Sequence, residues 1–262
     1  MPLIHLDDLR LNAELSGPIG GPPVVLLHAL GTNLRIWDQV VAHLPPTCRI
    51  LRYDQRGHGA SDAPAAPYTM GALIRDGERM MDHFGMRDAV VLGVSLGGLV
   101  AQGLAVKRLD LVRGMVLSNT AAKIGTPEIW AGRIAEVRRD GLHAYAEGAI
   151  QRMFGRNHAS IPGVDAVHEM LVRTPIEGWT GCAAAIAGAD FYTPTAGLTL
   201  PALVIAGAND ASTPPDLVRE TADLIRGSRF EIIRGAGHLP MVEKPAVFAA
   251  LITDFLRSIG HV

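Results

Sequence analysis

A serine flanked by glycines is the residue of this chain that most directly suggests chemistry. Ser95 lies in the segment Gly93-Val94-Ser95-Leu96-Gly97, which directly follows the apolar run Ala89–Leu92 and precedes a helical pattern. A serine in a sharp strand-to-helix turn projects its hydroxyl above a sheet, and glycines on either side leave room for the backbone to fold back. The alternative is a tight glycine turn with an incidental serine. The position between strand and helix favours a nucleophile.

A serine hydroxyl is a weak nucleophile until a base accepts its proton. His238 is the candidate base, because it alone among the 10 histidines lies in the loop between the last strand-like run and the last helix. Asp210 follows the preceding strand-like run and is the candidate acid, which would orient the imidazole. The loop one strand earlier, Ser118-Asn119-Thr120, contains no carboxylate. Asp210 could also cap the helix predicted from Pro215, and the two interpretations are compatible.

Acyl transfer also requires hydrogen-bond donors for the developing oxyanion. The backbone N–H of Leu96, directly after the serine, is one predicted donor. The other is the N–H of Leu30, in the loop His28-Ala29-Leu30-Gly31 after the apolar run Val24–Leu27. His28 itself is predicted to be a structural loop residue.

These residues require a parallel sheet that brings several loops to one edge. Short apolar runs without alternation are typical of strands buried on both faces, and helical patterns separate them. Strand–helix alternation predicts an α/β fold: a mostly parallel, eight-stranded sheet with helices on both faces. The stretch Leu3–Leu15 alternates, which predicts a hairpin at the antiparallel edge, with its turn near Asp7 and Asp8. The predicted strands are Val24–Leu27, Arg49–Tyr53, Ala89–Leu92, Gly114–Leu117, Ala202–Ala206 and Phe230–Ile233; the predicted helices are Leu34–Leu44, Met70–Phe84, Leu96–Arg108, Pro215–Ile225 and Ala246–Leu256.

One long region breaks this alternation. From Ala121 to Ala189 no strand-like run appears, and the pattern is helical and irregular. We therefore predict a core made of residues 1–120 and 191–262, with residues 121–190 inserted as a helical cap over the carboxyl edge of the sheet.

The composition excludes several functional classes. The chain has 262 residues, 48% of them hydrophobic, and a formal net charge of −2, which gives no reason to expect nucleic acid or an anionic membrane as a partner. Cys48 and Cys182 lie far apart without metal-ligand spacing, so neither a disulfide scaffold nor a metal site is predicted. No signal peptide and no membrane span are recognised, and a cytoplasmic location is expected. The oligomeric state is left open, with a homodimer as one option.

The chain as a whole resembles the α/β-hydrolase superfamily and, within it, the 3-oxoadipate enol-lactonases. The narrower resemblance rests on Arg52–Gly59, on Leu117–Trp130 and on residues 178–190. The middle segment is the most specific, because it lies in the cap, where superfamily members usually diverge. The usual family pattern in the loop after the first parallel strand is His-Gly-x-Gly. In this sequence Ala29 replaces the first glycine of that pattern. The sequence also has Val94 and Leu96 where Leu and Met are more usual.

The resemblance implies a cofactor-free serine hydrolase that opens an enol-lactone through an acyl-enzyme, in the catabolism of aromatic compounds. It implies that Asp54, Arg56 and His58 are structural. Such a substrate carries a carboxylate, and a chain with net charge −2 needs a local cation to attract it. Arg133 lies three residues after Trp130, so on a helix both face one side. Trp130 would pack against the lactone ring and Arg133 would pair with the carboxylate. The alternative is a core tryptophan with a solvated arginine; Trp179 is a weaker pocket candidate.

Other functions share these residues. A broader carboxylesterase and a hydrolase of another lactone or of a C–C bond use the same three catalytic groups. A ligand receptor of the same fold would bind without sustained turnover. A cofactor-free perhydrolase is a further alternative.

Overall fold

An eight-stranded sheet forms the centre of the computed structural model, which describes residues 3–154 and 158–262. The strand order is β1-β2-β4-β3-β5-β6-β7-β8. The pairs β1–β2 and β2–β4 are antiparallel and all others are parallel, which confirms the predicted mostly parallel sheet and its antiparallel hairpin. The strands are β1 (Leu3–His5), β2 (Arg10–Ser16), β3 (Pro23–Leu27), β4 (Arg49–Tyr53), β5 (Ala89–Val94), β6 (Val112–Ser118), β7 (Ala202–Gly207) and β8 (Arg229–Ile233).

The central strands are buried because their side chains pack on both faces of the sheet. Successive side chains of a strand point to opposite faces. Val25 and Val91 accordingly belong to one apolar cluster, and their neighbours Val24 and Val90 belong to the other. Helices cover both clusters. Because β3, β5, β6 and β7 are parallel, their carboxyl ends lie at the same edge of the sheet.

Strand β8 departs from the prediction of burial on both faces. It pairs only with β7 and lies at the edge of the sheet, where Ile232 is 44% exposed. An apolar run by itself does not distinguish an edge strand from a central one.

Ten helices of the described residues surround the sheet. They are α1 (Asp38–Val41), α2 (Met70–Phe84), α3 (Leu96–Lys107), α4 (Pro127–Phe154), α5 (Val164–Arg173), α6 (Ile176–Ala187), α7 (Tyr192–Ala196), α8 (Pro215–Leu224), α9 (Pro240–Glu243) and α10 (Pro245–Ser258). The helix expected over Leu34–Leu44 is instead a 3-10 turn, Leu34–Trp37, followed by the short α1. The pair Pro45-Pro46, four positions after the end of α1, lacks the N–H groups that a helix continuing past Leu44 would need.

Helices α4 to α7 lie between β6 and β7 in the chain, and α4, α5 and α6 fall in the region predicted as the cap. Helix α4 is bent at Gly141, whose φ of 78° and ψ of 169° are not helical. The short helix α7 begins at Tyr192, after the predicted end of the cap, and packs near α8. The division into core and cap stays a prediction. Residues 1–2 of the predicted core and 155–157 of the predicted cap lie outside the described residues.

No helix within the described ranges has both the length and the apolar character that crossing a membrane requires.

Candidate active site

Ser95 occupies the sharp turn between β5 and α3. Its φ of 55° and ψ of −117° fall where non-glycine residues are rare, which costs about 1–3 kcal/mol. The flanking glycines are required by close approach. A Cβ on Gly93 would lie 2.1 Å from the carbonyl oxygen of Gly97, and a Cβ on Gly97 would lie 2.3 Å from that of Leu27. The close packing of the surrounding backbone keeps Ser95 in this strained conformation. The motif predicts such a sharp turn.

His238 and Asp210 form a buried pair beside this turn. His238 Nδ1 lies 2.8 Å from Asp210 Oδ2, and the residues are 3% and 4% exposed. With its proton on Nδ1, the imidazole donates to Asp210 and presents Nε2 as a base. The loops after β7 and β8 therefore bring together two side chains that are 28 positions apart in the sequence.

Asp210 accepts five hydrogen bonds in all. Besides His238, it receives the Asn119 amide at 2.8 Å, the Thr213 hydroxyl at 2.7 Å, and the backbone N–H groups of Ser212 and Thr213. Burial would raise the pKa of this carboxyl, but the attraction of His238 and the hydrogen bonds from His238, Asn119 and Thr213 outweigh it, so the pKa lies below its ordinary value. Asp210 also braces the turn before α8, although the N-cap of that helix is Pro214.

Asn119 is a site residue that the sequence analysis passed over. Its Nδ2 donates to Asp210 and also, at 3.1 Å, to the carbonyl oxygen of Gly237, next to the histidine. Its φ of 47° is left-handed, a conformation that asparagine tolerates better than most residues. A signal was available in the sequence, since the polar residue Asn119 directly follows the apolar run of β6.

The His238 loop is fixed from two sides. The backbone N–H of His238 donates to the carbonyl oxygen of Met153, at the end of α4, at 2.7 Å. The N–H of Gly237 donates to Glu243 Oε1 at 2.8 Å, and burial raises the pKa of that carboxyl. Contact with Met153 makes α4 part of the wall around the histidine.

Both predicted oxyanion donors belong to segments close to Ser95. Leu96 is the first residue of α3, whose N-terminal N–H groups have no intrahelical acceptor. Leu30 lines the pocket that contains Ser95. Ala29, which replaces the usual glycine, is 1% exposed and packs in the apolar cluster of β3. Its φ is not positive, so alanine takes this position without backbone strain.

Two buried histidines hold the Leu30 loop from below. His28 Nε2 accepts from the N–H of Gln55 at 2.8 Å, and His58 Nε2 accepts from the N–H of Gly31 at 2.9 Å. Burial lowers the pKa of His28 to about 4 and, with the nearby His28 ring adding to the effect, lowers that of His58 to about 3. Both rings are therefore neutral acceptors at pH 7, and both have structural contacts.

The neighbouring acidic and basic residues have structural contacts too. Asp54 accepts from the N–H groups of Leu34 and Ala60, which closes the loop after β4. Arg56 forms two hydrogen bonds with the buried Asp76, at 2.6 and 2.7 Å. These contacts agree with the structural roles that the resemblance implied for Asp54 and Arg56.

Helices α4 and α6 carry the predicted substrate residues. Trp130 is 5% exposed and donates from Nε1 to Ile124 at 2.6 Å. The Arg133 guanidinium carbon lies 4.8 Å from the centre of the Trp130 ring. Trp179 packs edge to face on Tyr145, with ring centres 5.0 Å apart.

Trp130, Arg133, Tyr145 and Trp179 line one small cavity of about 50 Å³. Its wall includes Ser95, His238, Leu30, Trp130, Arg133, Tyr145, Arg152 and Trp179. Among the described residues, the Ser95 hydroxyl and the His238 ring share this wall without a hydrogen bond between them. Such bonds are often long in unliganded enzymes and shorten when substrate binds. Arg152 and Tyr145 were not predicted, because nothing in the local pattern distinguishes them from other residues of an amphipathic helix.

Within the described ranges, no group of three or more His, Cys, Asp or Glu side chains is arranged so that it could hold a metal ion.

The comparisons with known proteins agree with this fold. Residues 22–245 match the family model described as the alpha/beta hydrolase fold. The chain is 34% identical to 3-oxoadipate enol-lactonase 2 of Acinetobacter baylyi, over 95% of this chain and 96% of that protein. The enol-lactonase from Burkholderia xenovorans superposes with a TM-score of 0.93 at 34% identity, covering 98% of this chain and 100% of that one. A thermophilic esterase from Thermogutta terrifontis, solved with malate bound, has a TM-score of 0.89 at 32% identity, over 97% and 95% of the two chains.

The chain thus belongs to the α/β-hydrolase family. The relatives that it matches along nearly its full length place it among the esterase-type hydrolases.

Proposed function

We propose that the chain opens an enol-lactone that carries a carboxylate, converting 3-oxoadipate enol-lactone to 3-oxoadipate. The observation that carries the proposal is that a single pocket is lined by Ser95, His238 and Arg133. The first two are the groups that acyl transfer needs, and the third is a cation for the substrate's charge. The names of the Acinetobacter and Burkholderia relatives support the same substrate.

The first half of the reaction forms an acyl-enzyme. His238 Nε2 accepts the proton of Ser95 as its oxygen attacks the lactone carbonyl. The N–H groups of Leu30 and Leu96 donate to the oxyanion. The bond between the acyl carbon and the ring oxygen then breaks, and His238 returns the proton to the leaving enol oxygen. The enol tautomerises to a ketone, which makes this step favourable.

The second half releases the acid. Water enters the space left by the ring oxygen, and His238 accepts one of its protons as the oxygen bonds to the acyl carbon. The Ser95 ester bond breaks, the serine regains its proton from His238, and the new carboxylic acid ionises. Asp210 stabilises the imidazolium that forms in each half without itself being protonated.

Arg133 binds the carboxylate that the substrate brings, and Trp130 packs against the ring. The guanidinium lies against the face of the Trp130 ring, which limits its motion and leaves its N–H edge for a bidentate pair with a carboxylate. No Asp or Glu is among the residues of the described chain that line the cavity, so Arg133 has no competing anion there.

A broader carboxylesterase is a second candidate, favoured by the similarity to the Thermogutta terrifontis esterase. The same triad serves it. The two functions differ in how strongly a negative charge on the substrate should improve its binding.

The decisive experiment measures kcat and KM for the enol-lactone beside a neutral ester, p-nitrophenyl acetate. We expect efficient lactone opening by the wild-type protein and, for Arg133→Ala, a rise in the KM of the anionic lactone at least ten-fold larger than the rise for the neutral ester. Ser95→Ala provides the blank, since loss of the nucleophile should cost several orders of magnitude in rate.

Lactone opening no faster than that of the Ser95→Ala blank would refute the proposal. Equal effects of Arg133→Ala on both substrates would remove the carboxylate role and favour the esterase.

A further inference from the structure

Arg152 is a second cation in the same cavity. It lies near the end of α4 and lines the pocket together with Ser95, His238 and Arg133. Its guanidinium carbon is 5.2 Å from the centre of the Tyr145 ring, an arrangement like that of Arg133 on Trp130. Among the described residues, no carboxylate forms an ion pair with Arg152. Two aromatic-stacked arginines thus share one small cavity.

The bend at Gly141 brings the two arginines together. Arg133 and Arg152 are 19 positions apart in the sequence. In an unbroken helix they would be separated by about 29 Å. Because α4 turns at Gly141, both halves of the helix contribute to one cavity of about 50 Å³. The second half also meets the catalytic loop, where Met153 accepts the backbone N–H of His238. Arg152 directly precedes Met153 and lines the same pocket as the histidine.

The charge of the reacting molecule changes during hydrolysis. A lactone or half-ester with one carboxylate carries one negative charge. When water supplies a hydroxyl to the acyl carbon and a proton to the leaving oxygen, a second carboxylic acid forms and ionises. The new carboxylate arises at Ser95, on the His238 side of the pocket. Arg133 alone matches the substrate, whereas the product requires two cations.

We propose that Arg152 binds the carboxylate created by hydrolysis, so that the pocket holds the dianionic product of a lactone or half-ester of a short dicarboxylic acid. This inference rests on the proposed function, because it assigns the first carboxylate to Arg133. A guanidinium stacked by its face keeps its N–H edge for two parallel hydrogen bonds to a carboxylate. A neutral pocket residue at this position would bind the monoanion and the dianion equally.

Inhibition by two acids of equal length tests the assignment. Adipate and hexanoate each have six carbons and differ by one carboxylate, and both are measured as competitive inhibitors of p-nitrophenyl acetate hydrolysis. We expect the wild-type protein to bind adipate at least ten-fold more tightly than hexanoate, because a charge-assisted bidentate pair is worth about that factor or more. Arg152→Met should bring the two inhibition constants within about three-fold of each other, and Arg152→Lys should give an intermediate ratio.

Arg138→Met is the matched control. Arg138 is exposed on the first half of α4 and does not line the cavity, so this variant should keep the wild-type ratio. Thermal unfolding of each variant shows whether it is folded, and the Arg152→Lys result decides the matter if Arg152→Met is unstable. A wild-type ratio in Arg152→Met, or a wild-type protein that does not prefer adipate, would overturn the inference.

These outcomes are separable from those of the proposed function, since the inhibition assay uses a neutral ester. A ratio that depends on Arg152 in a protein that does not open the enol-lactone would refute the proposed function alone. Lactone opening with a ratio insensitive to Arg152 would refute this inference alone.

Discussion

At the residue scale, the carboxylate of Asp210 shows how a buried charge is held in place. It is nearly inaccessible, and burying an ionised carboxylate is costly unless hydrogen bonds replace its water. Three neighbouring residues besides His238 supply those bonds: Asn119, Ser212 and Thr213. Asn119 also donates to the carbonyl oxygen of Gly237, so one side chain links Asp210 to the loop that carries His238.

Removing the Asn119 amide should weaken catalysis without unfolding the protein. Asn119→Gly tolerates the left-handed backbone while removing the donor, and we expect kcat/KM to fall about ten-fold, as for a lost hydrogen bond to a charged group. Asp210→Asn, which disturbs the histidine tautomer, should cost about 10⁴-fold. Steady-state kinetics and thermal unfolding measure both. An Asn119→Gly protein with full activity would show that four donors suffice.

At the element scale, the shape of α4 determines which residues meet. Its two halves carry the Trp130–Arg133 pair and the Tyr145–Arg152 pair, and the bend between them lets both face Ser95. The φ and ψ of Gly141 lie in a region that is essentially restricted to glycine. The pocket therefore depends on the absence of a side chain at a position outside it.

Gly141→Ala should lower both stability and activity. We expect a loss of about 1–3 kcal/mol in the free energy of unfolding from backbone strain, and a lower kcat/KM because the two halves of the pocket wall no longer align. Urea unfolding and ester kinetics measure the two effects.

Gly132→Ala is the control for this variant, because Gly132 is an exposed residue of the same helix with no positive φ and with open space at its Cβ position. That change should be neutral or stabilising by up to about 1 kcal/mol. If the two alanine variants behave alike, the bend does not depend on glycine.

At the scale of the whole molecule, the base of the active site connects the sheet to the helices above it. His28 and His58 lie under the Leu30 loop with ring centres 5.2 Å apart. The same region meets α6 at Gly57 and Gly178, where a Cβ on Gly178 would lie 1.9 Å from the Gly57 carbonyl oxygen. Protonation of either ring would remove an acceptor from this junction.

Stability should therefore decline in mild acid. The folded-state pKa values of His28 and His58, about 4 and about 3, lie below the unfolded value near 6.5, so the unfolded chain binds more protons in between. The stability contributed by the neutral rings is fully present above pH 6.5 and is lost as the pH falls toward 4, at up to about 1.4 kcal/mol per pH unit for each histidine. Urea unfolding between pH 7 and pH 4 measures the slope.

His58→Gln keeps an acceptor for the Gly31 N–H and cannot be protonated, so it should flatten the slope. His83→Gln, at an exposed histidine, should leave the slope unchanged. An identical slope in the wild type and His58→Gln would show that the buried rings do not govern acid stability.

Some features of this protein were predictable because their causes are local. The turn at Ser95 requires glycines two positions away, and a mostly parallel sheet follows from apolar runs that alternate with helical patterns. Ser95, Asp210 and His238 each lie in a loop at the carboxyl end of a predicted parallel strand, where the fold must bring them near one another. Two predictions were wrong: the long helix over Leu34–Leu44, where the structure has a 3-10 turn and the short α1, and the burial of β8 on both faces. A run of apolar residues alone specifies neither the length of a helix nor the position of a strand in the sheet.

The sequence alone determined the fold and the class of hydrolase, and it predicted Ser95, Asp210 and His238 as catalytic residues, since these inferences follow from local patterns and from positions in loops after strands. Only the tertiary structure decided that Asn119 supports the acid, that α4 bends at Gly141 and that Arg152 joins Arg133 in one cavity. Those facts depend on contacts between segments dozens of residues apart, and the residues involved have no distinguishing neighbours along the chain.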